Sequence, residues 1–181
     1  MTIYTALTVP TQFVEANGIR FAYRRWGKKG NLPLVFNQHF TGNLDNWDPA
    51  VLDGLAGERE IIIFNNAGIA SSTGEVPTTF AGMAKNAEAF VDALGLKKID
   101  LLGFSIGGMV AQQITVDRPE LIRKLILLAP LLVITMPGTA KATLHQRPRP
   151  SLARPTTRLR IYGSRSFSRI RRRARLQAAH S

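Results

Sequence analysis

The sequence predicts an α/β fold, a mostly parallel sheet with helices on both faces and an N-terminal β-hairpin. Between residues 32 and 129, short apolar runs rich in β-branched residues alternate with amphipathic helical segments. That alternation is typical of strands joined by helical crossovers. Upstream, two strand-like segments flank Asn17-Gly18, a dipeptide that supplies the two positive φ angles of a type I′ hairpin turn.

Composition limits the classes to which the chain can belong. At 181 residues with 45% hydrophobic and 20% charged residues, it has the size and balance of one globular domain. There is no cysteine, which excludes disulfides, thiolate metal sites and cysteine nucleophiles. No apolar run has the length of a membrane span, and the N-terminus lacks a basic segment followed by an apolar one. We therefore expect a cytoplasmic protein with no membrane partner.

The charge is distributed unevenly along the chain. Residues 1–120 contain all twelve acidic residues and ten of the 24 Lys and Arg, whereas residues 121–181 contain fourteen basic residues and no acid. The regular alternation also stops near Met136. The sequence thus predicts a folded domain over 1–136 and a basic, Arg/Pro-rich tail over 137–181 that should be disordered, because it has too few apolar residues for a core.

The first strands and helix follow from local patterns. Segments 11–16 and 19–24 form the hairpin, and in the second of them apolar and basic positions largely alternate. Residues 32–37 form a short apolar strand that leads into a polar loop. Asp48-Pro49 opens a short helix, with Asp as N-cap and Pro at the first helical position. Residues 60–64, a β-branched run, predict a strand buried on both faces.

The second half of the domain continues the alternation. Thr79 is the expected N-cap of a helix whose apolar residues recur at spacings of three and four, and Gly95 closes it. A strand over 99–104, a helix to about Arg118 and a strand over about 121–129 follow. This last strand would be the sixth, and no further strand is predicted after it.

Gly103-Phe104-Ser105-Ile106-Gly107 lies between the strand over 99–104 and the following helix. A serine at such a sharp turn has strained backbone angles that expose its hydroxyl, so its neighbours two residues away must be small. Gly103 and Gly107 meet that need. The turn also places the Ile106 N–H at a helix N-terminus, where it would stabilise a developing oxyanion. A chance serine in a glycine-rich turn is the alternative, and the placement disfavours it.

With this motif in place, the sequence resembles the N-terminal half of the α/β-hydrolase superfamily, in the branch of esterases, non-haem haloperoxidase-like enzymes and lactonases. The likeness covers roughly residues 12–130 and includes the loop Gln38-His39-Phe40-Thr41-Gly42 in place of the family's HGxxG-like oxyanion loop. It implies an α/β-hydrolase fold truncated after about the sixth strand. It also implies Ser105 as nucleophile, with the backbone N–H groups of Phe40 and Ile106 as oxyanion hole.

Two departures from the family pattern stand out. The turn after the strand over 60–64 has Asn65 and Ala70 where the family usually has Asp and a second glycine, which puts the tightness of that turn in question. The family order is Ser, then Asp or Glu, then His, yet the only acids after Ser105 are Asp117 and Glu120. The acid and the base of a triad are thus not found in this chain.

The three histidines do not supply that base. His39 precedes Ser105 and is expected to order the oxyanion loop rather than act as a base. His145 and His180 follow Ser105, but they lie in arginine-rich sequence with no acid to orient them. A shift of reading frame between Leu128 and Lys141 would explain the change of composition, and the other two frames of the gene test this hypothesis.

Other functions remain as alternatives. A non-catalytic α/β domain could use the basic tail to bind nucleic acid or an anionic surface, although no aromatic residues are interleaved with the arginines over 171–175. A pseudoenzyme that keeps only the pocket is a third hypothesis. The favoured reading is a serine hydrolase of esters or lactones whose partner is a small-molecule substrate, with no cofactor, no metal and no nucleic acid, and with this chain inactive.

Overall fold

The computed structural model describes residues 4–39 and 41–129, and the structural statements below refer to these residues. This part of the chain contains six strands, three α-helices and a short 3₁₀ helix over Leu44–Asn46. The strands are β1 (Gln12–Ala16), β2 (Ile19–Gly27), β3 (Leu34–Asn37), β4 (Glu60–Phe64), β5 (Ile99–Phe104) and β6 (Ile122–Leu128). The helices are α1 (Pro49–Ala56), α2 (Phe80–Ala93) and α3 (Ile106–Asp117).

The six strands form one sheet in the order β1-β2-β4-β3-β5-β6. The pairs β1–β2 and β2–β4 are antiparallel, whereas β3–β4, β3–β5 and β5–β6 are parallel. The predicted architecture, a mostly parallel sheet that begins with a hairpin, is confirmed. Because β3, β4, β5 and β6 run in the same direction, the segments that follow them meet at one edge of the sheet, which we call the carboxyl edge.

Helices cover both faces of the sheet, as predicted. On one face α2 and α3 pack over a core that contains a cluster of aromatic rings, in which Phe64 and Phe90 stack with their centroids 4.4 Å apart. On the other face α1 and the N-terminal residues Ala6 and Val9 pack against Trp26. The central strands β3, β4 and β5 are buried on both sides, which explains the continuous apolar run of β4.

Local signals place the helix starts where the sequence predicts them. The Asp48 side chain accepts a hydrogen bond from the Ala50 N–H, and the Thr79 hydroxyl accepts one from the Gly82 N–H. Gly95, just after α2, has a φ of 71°, a left-handed angle that suits a residue without a side chain. The predictions for the basic tail over 137–181, including disorder and a shifted reading frame, lie outside the described residues.

Candidate active site

Ser105 lies between the end of β5 and the start of α3, at the carboxyl edge. Its φ of 55° and ψ of −123° lie outside the favoured regions for a residue with a side chain. Its N–H donates to the Leu128 carbonyl of β6 at 2.9 Å, and its own carbonyl accepts from the Gly108 N–H at 2.9 Å. Within the described residues the hydroxyl makes no capping hydrogen bond to α3. The turn therefore holds this side chain in a strained, partly exposed position, as expected for a nucleophile elbow.

The two glycines of the motif are required by close backbone contacts. A Cβ at Gly103 would lie 2.5 Å from the Gly108 Cα and would also collide with the Gly107 carbonyl. A Cβ at Gly107 would collide with the backbone carbonyl oxygens of Asn37 and Gln38. Neither collision is with a flexible side chain, so neither site can accept a larger residue without backbone movement. The close approach at Gly107 also shows that the start of α3 packs directly against the loop after β3.

That loop is the predicted oxyanion loop. The His39 N–H donates to the Gln38 side-chain oxygen at 3.0 Å, and the Gly42 N–H donates to the His39 carbonyl at 3.1 Å. Phe40, the predicted second oxyanion donor, lies outside the described residues. Ile106, the predicted first donor, is the first residue of α3, where helix geometry leaves the N–H without an intrahelical partner. The structure thus brings Ile106 and the residues on both sides of Phe40 to the same edge.

The turn after β4 is tight despite its departures from the family pattern. The Asn65 side-chain oxygen accepts from the Leu44 N–H at 2.8 Å, and the Ser72 hydroxyl donates to the Asn65 carbonyl at 2.9 Å. Ala70 has a φ of 49°, in the left-handed region that glycine adopts without strain. Asn65 therefore makes a buried link between this turn and the 3₁₀ helix that follows the predicted oxyanion loop, and Ala70 keeps the backbone conformation that the family's glycine would adopt.

His39 lies against the residue that precedes the serine. Its ring meets that of Phe104 edge to face, with centroids 5.8 Å apart, and Phe104 in turn contacts Trp47 at 6.3 Å. Within the described residues no carboxylate hydrogen-bonds to the imidazole. These contacts favour the predicted loop-ordering role. His145 and His180 lie outside the described residues.

The two acids that follow Ser105 are remote from it. Asp117 ends α3, twelve residues and about 18 Å along the helix axis from Ser105, and accepts a hydrogen bond from Gln113. The Glu120 Oε1 atom lies 3.3 Å from Arg118 Nε, and the same guanidinium forms an ion pair with Asp92. Both acids thus take part in contacts at the opposite end of the molecule from the serine, and neither is placed to orient a catalytic histidine.

Sequence reasoning gave no role to the side chains of two polar residues beside the elbow. Asn37, at the end of β3, and Gln38 after it are buried to 1% and 2% exposure. The available signal was the change from an apolar run to two amides at the end of a buried strand. In the described part of the chain, no group of three or more His, Asp or Glu is arranged to hold a metal ion. None of the helices described there is long and apolar enough to cross a membrane.

Comparison with known proteins agrees with this geometry. The family profile of the alpha/beta hydrolase fold matches residues 33–179. A poly(3-hydroxyalkanoate) depolymerase from Ectopseudomonas oleovorans is 33% identical over 130 residues, which cover 71% of this chain and 45% of the relative. The dihydrolipoyllysine-residue acetyltransferase component of an acetoin cleaving system from Cupriavidus necator is 35% identical over 121 residues, or 66% of this chain and 32% of the relative.

Solved structures give the same result. An alpha/beta hydrolase fold protein from Chitinophaga pinensis is 45% identical with a TM-score of 0.67, over 68% of this chain and 45% of that one. Est816, described as an N-acyl homoserine lactone degrading enzyme, is 27% identical with a TM-score of 0.57, over 66% of this chain and 45% of Est816. This chain therefore spans between a third and a half of the length of these relatives. On its profile match, its sheet order and its strand-turn-helix motif, the chain belongs to the alpha/beta hydrolase family.

Proposed function

We propose that this protein is a hydrolase of carboxylic esters or lactones that uses Ser105 as its nucleophile. The observation that carries the proposal is the backbone of Ser105, which is left-handed at a strand-to-helix turn whose flanking glycines allow close packing. The strained backbone of Ser105 costs free energy of folding, and among the described residues its hydroxyl makes no capping hydrogen bond that would offset this cost. Such strain is concentrated at functional sites. The simplest reason to keep it is that the hydroxyl reacts.

The chemistry follows from the groups around the serine. The Ser105 oxygen would attack the acyl carbon of the substrate, and the carbonyl electrons would move onto the oxygen. The N–H groups of Ile106 and Phe40 would donate to that oxyanion, each lowering the barrier by about 3 kcal/mol. Collapse would release the alcohol and leave an acyl-serine ester, which water would then hydrolyse. A base beside the serine must accept the serine proton during the attack, and its conjugate acid must give that proton to the leaving alcohol oxygen; the same base then accepts a proton from the hydrolytic water and returns it to Ser105.

The relatives support acyl chemistry of this kind. Poly(3-hydroxyalkanoate) is a polyester, an N-acyl homoserine lactone contains a cyclic ester, and an acetyltransferase moves an acyl group. Each of these names describes a reaction at an acyl group. We extend only this shared chemistry to the present chain, as a small-molecule ester or lactone substrate.

We further propose that the 181-residue chain is inactive because it lacks the catalytic base and the acid that would orient it. His39 contacts Phe104 and, in the described part, has no carboxylate partner, while the sequence after Glu120 has no acid at all. Removing the base from a serine triad leaves only about 10³ to 10⁴-fold catalysis over water, even in an intact site. The domain over 1–136 would thus supply the nucleophile and the oxyanion donors without the groups that activate them.

Hydrolysis of p-nitrophenyl acetate tests both proposals. The chain should hydrolyse it no faster than its Ser105→Ala variant. A chimaera should be active: residues 1–129 joined to the part of the polyhydroxyalkanoate depolymerase that follows the region matching β6. Its activity should disappear with Ser105→Ala. Enzyme-like turnover by the unmodified chain that is lost with His39→Ala or His145→Ala would refute the inactivity. An active chimaera that is indifferent to Ser105→Ala would refute the nucleophile.

A further inference from the structure

Asn37 contacts both halves of the proposed site. It ends β3 and directly precedes the oxyanion loop, and its side-chain Nδ2 donates to the Gly107 carbonyl over a long 3.4 Å. Gly107 lies in the first turn of α3, two residues after Ser105. The Asn37 carbonyl also forms the wall that a Cβ at Gly107 would strike. A single buried residue thus joins the start of the oxyanion loop to the helix that carries the oxyanion donor Ile106.

Among the described residues, no group donates a hydrogen bond to the side-chain oxygen of Asn37. Its Oδ1 is buried and, among the described residues, has no hydrogen-bond partner, and the same holds for Glu88 Oε1 on α2. Both residues line one cavity of about 10 Å³ between the sheet and the two helices α2 and α3, and the other lining residues are apolar. A buried acceptor without a donor costs about 1–3 kcal/mol. One hydrogen supplied between the two oxygens would remove that cost for both.

We propose that Asn37 is a positioning residue of the site, and that Glu88 in its protonated form donates the missing hydrogen to Asn37 Oδ1, directly or through one water. With Oδ1 held from α2, the amide plane of Asn37 is fixed and its Nδ2 stays directed at the Gly107 carbonyl. The bridge then sets how the oxyanion loop and the first turn of α3 lie relative to each other. The inference rests on the proposed function, because the turn that it holds carries Ser105.

The surroundings of Glu88 favour its protonated form more than water does. Burial raises the pKa of Glu88, and the Asp117 carboxylate at the end of α3 raises it further. Arg118 lowers it, Asp92 on α2 raises it and Lys85 on α2 lowers it. A carboxyl group with a raised pKa keeps its proton at low pH and loses it as the pH rises through that pKa. The bridge should therefore be complete on the acidic side of the Glu88 titration and should open on the alkaline side.

Nuclear magnetic resonance on the full chain tests the link without using catalysis. The side-chain amide resonances of Asn37 should shift with pH, with the same midpoint as the carboxyl carbon of Glu88. Glu88→Gln supplies a permanent N–H donor, so it should abolish the shift and hold the Asn37 resonances near their low-pH positions. Glu58→Gln, which changes an exposed carboxylate in the turn after α1, should leave the titration unchanged. Asn37 resonances that do not follow Glu88 would overturn the proposal.

Hydrogen exchange then tests the effect on the elbow. The Gly108 N–H donates to the Ser105 carbonyl, so its protection factor reports on this turn. Measured at a pH below the midpoint of the Glu88 titration, Asn37→Leu and Glu88→Leu should each lower that factor about tenfold, the double variant should lower it no further, and Glu88→Gln should stay within twofold of wild type. Equal behaviour of Glu88→Gln and Glu88→Leu would refute the bridge.

The catalytic consequence is measured separately, in the active chimaera. There Asn37→Leu should lower kcat about tenfold or more and leave KM within twofold, because the oxyanion donors act in the transition state. A change confined to KM would assign Asn37 to substrate binding instead and overturn the positioning role. Failure of Ser105→Ala to abolish activity would remove the proposed function, while the resonance and exchange results would still stand or fall independently.

Discussion

The two edges of the sheet are built in opposite ways. At the amino ends of the strands, Asp100 is fully buried and receives three hydrogen bonds of 2.7–2.8 Å from Arg59 and Arg123. Glu60, at the start of β4 and on the other side of β3 from Asp100, binds Arg25 through both carboxylate oxygens, at 2.8 and 2.9 Å. The buried carboxylates at this edge are therefore paired, as stable burial of charge requires.

The carboxyl edge differs in carrying backbone strain. Four non-glycine residues in the described part have a positive φ, and three of them follow parallel strands at this edge: Ala70, Ser105 and Ala129. Buried polar atoms without a partner among the described residues occur at both edges: Asn37 Oδ1 and Trp47 Nε1 lie near the elbow, and Arg59 Nε lies at the amino edge. The comparison shows that the amino edge pairs its buried carboxylates, while the carboxyl edge holds side chains at left-handed backbone angles where reactivity is proposed.

The largest effect is expected at Gly107. Gly107→Ala places a Cβ against the carbonyl oxygens of Asn37 and Gln38, and neither can move without shifting β3 or α3. We expect the free energy of unfolding to fall by about 3 kcal/mol or more. Gly57→Ala is the matched control, because Gly57 has an ordinary helical φ of −62° and open space around its Cα. Urea unfolding of both variants decides, and equal stability would mean that the carboxyl edge is not tightly packed.

The next effect belongs to the amino edge. Asp100→Asn removes the charge that two guanidinium groups share, and we expect a loss of about 3 kcal/mol, the low end for breaking a buried pair, because Arg123 is partly exposed. Asp45→Asn changes a carboxylate whose side chain is 73% exposed beside Arg24 and should cost less than about 1 kcal/mol. Thermal unfolding measures both. Similar losses for the two variants would contradict the distinction between the edges.

The same carboxylate predicts a dependence on pH. Burial alone would raise the pKa of Asp100, but the hydrogen bonds from Arg123 and Arg59 outweigh it and hold the pKa below its ordinary value. A lowered carboxyl pKa stabilises the folded state above the unfolded-state pKa, near 4 for aspartate, and this contribution is lost as the pH falls through the folded-state value. Wild-type stability should thus drop more steeply below about pH 4 than that of Asp100→Asn. Parallel acid-unfolding curves would contradict this.

At the carboxyl edge, Asn65 links the turn after β4 to the 3₁₀ helix that follows the predicted oxyanion loop. Asn65→Ala leaves the buried Leu44 N–H without its acceptor, and we expect a loss of about 2 kcal/mol. Asn65→Asp keeps an acceptor oxygen at the same place and should lose less. Thermal unfolding of the pair separates the hydrogen bond from a general sensitivity of the site: if Asp is as damaging as Ala, the Leu44 contact is not the reason.

Local sequence signals predicted the elements of the fold well. The N-caps Asp48 and Thr79, the hairpin at Asn17-Gly18 and the strand-turn-helix around Ser105 each depend on residues close in sequence. Such patterns report the backbone directly, because capping, turn type and periodicity are local properties. The order of the strands in the sheet was not predicted, because these patterns do not report which strands pair.

What the sequence did not reveal depends on distant contacts. Asn37 meets Gly107 across 70 positions, and the Asn65 contact with Leu44 joins two loops across 21. No periodicity marks such pairs, since the same amide at the end of a strand is compatible with many partners. The 3₁₀ helix over Leu44–Asn46 was also missed, although its capping box between Asn43 and Asn46 was readable.

The smallest effect is expected at Ala70, and its sign tests whether strain at the carboxyl edge is real. At a φ of 49°, a residue with a Cβ costs about 1–2 kcal/mol relative to glycine, while glycine loses up to about 1 kcal/mol through the greater freedom of the unfolded chain. Ala70→Gly should therefore raise the free energy of unfolding by about 0.5 kcal/mol. Asn17→Gly, at a φ of 51° in the hairpin, should give a smaller gain in stability, because asparagine tolerates this region.

Ser105→Gly should raise the stability in the same direction as Ala70→Gly but should abolish activity in the chimaera. Both side chains are held at left-handed angles, but only that of Ser105 is proposed to react. Denaturant unfolding resolves these differences when the variants are measured side by side, and a loss of stability in both Ala70→Gly and Ser105→Gly would show that the left-handed positions of this edge are not strained.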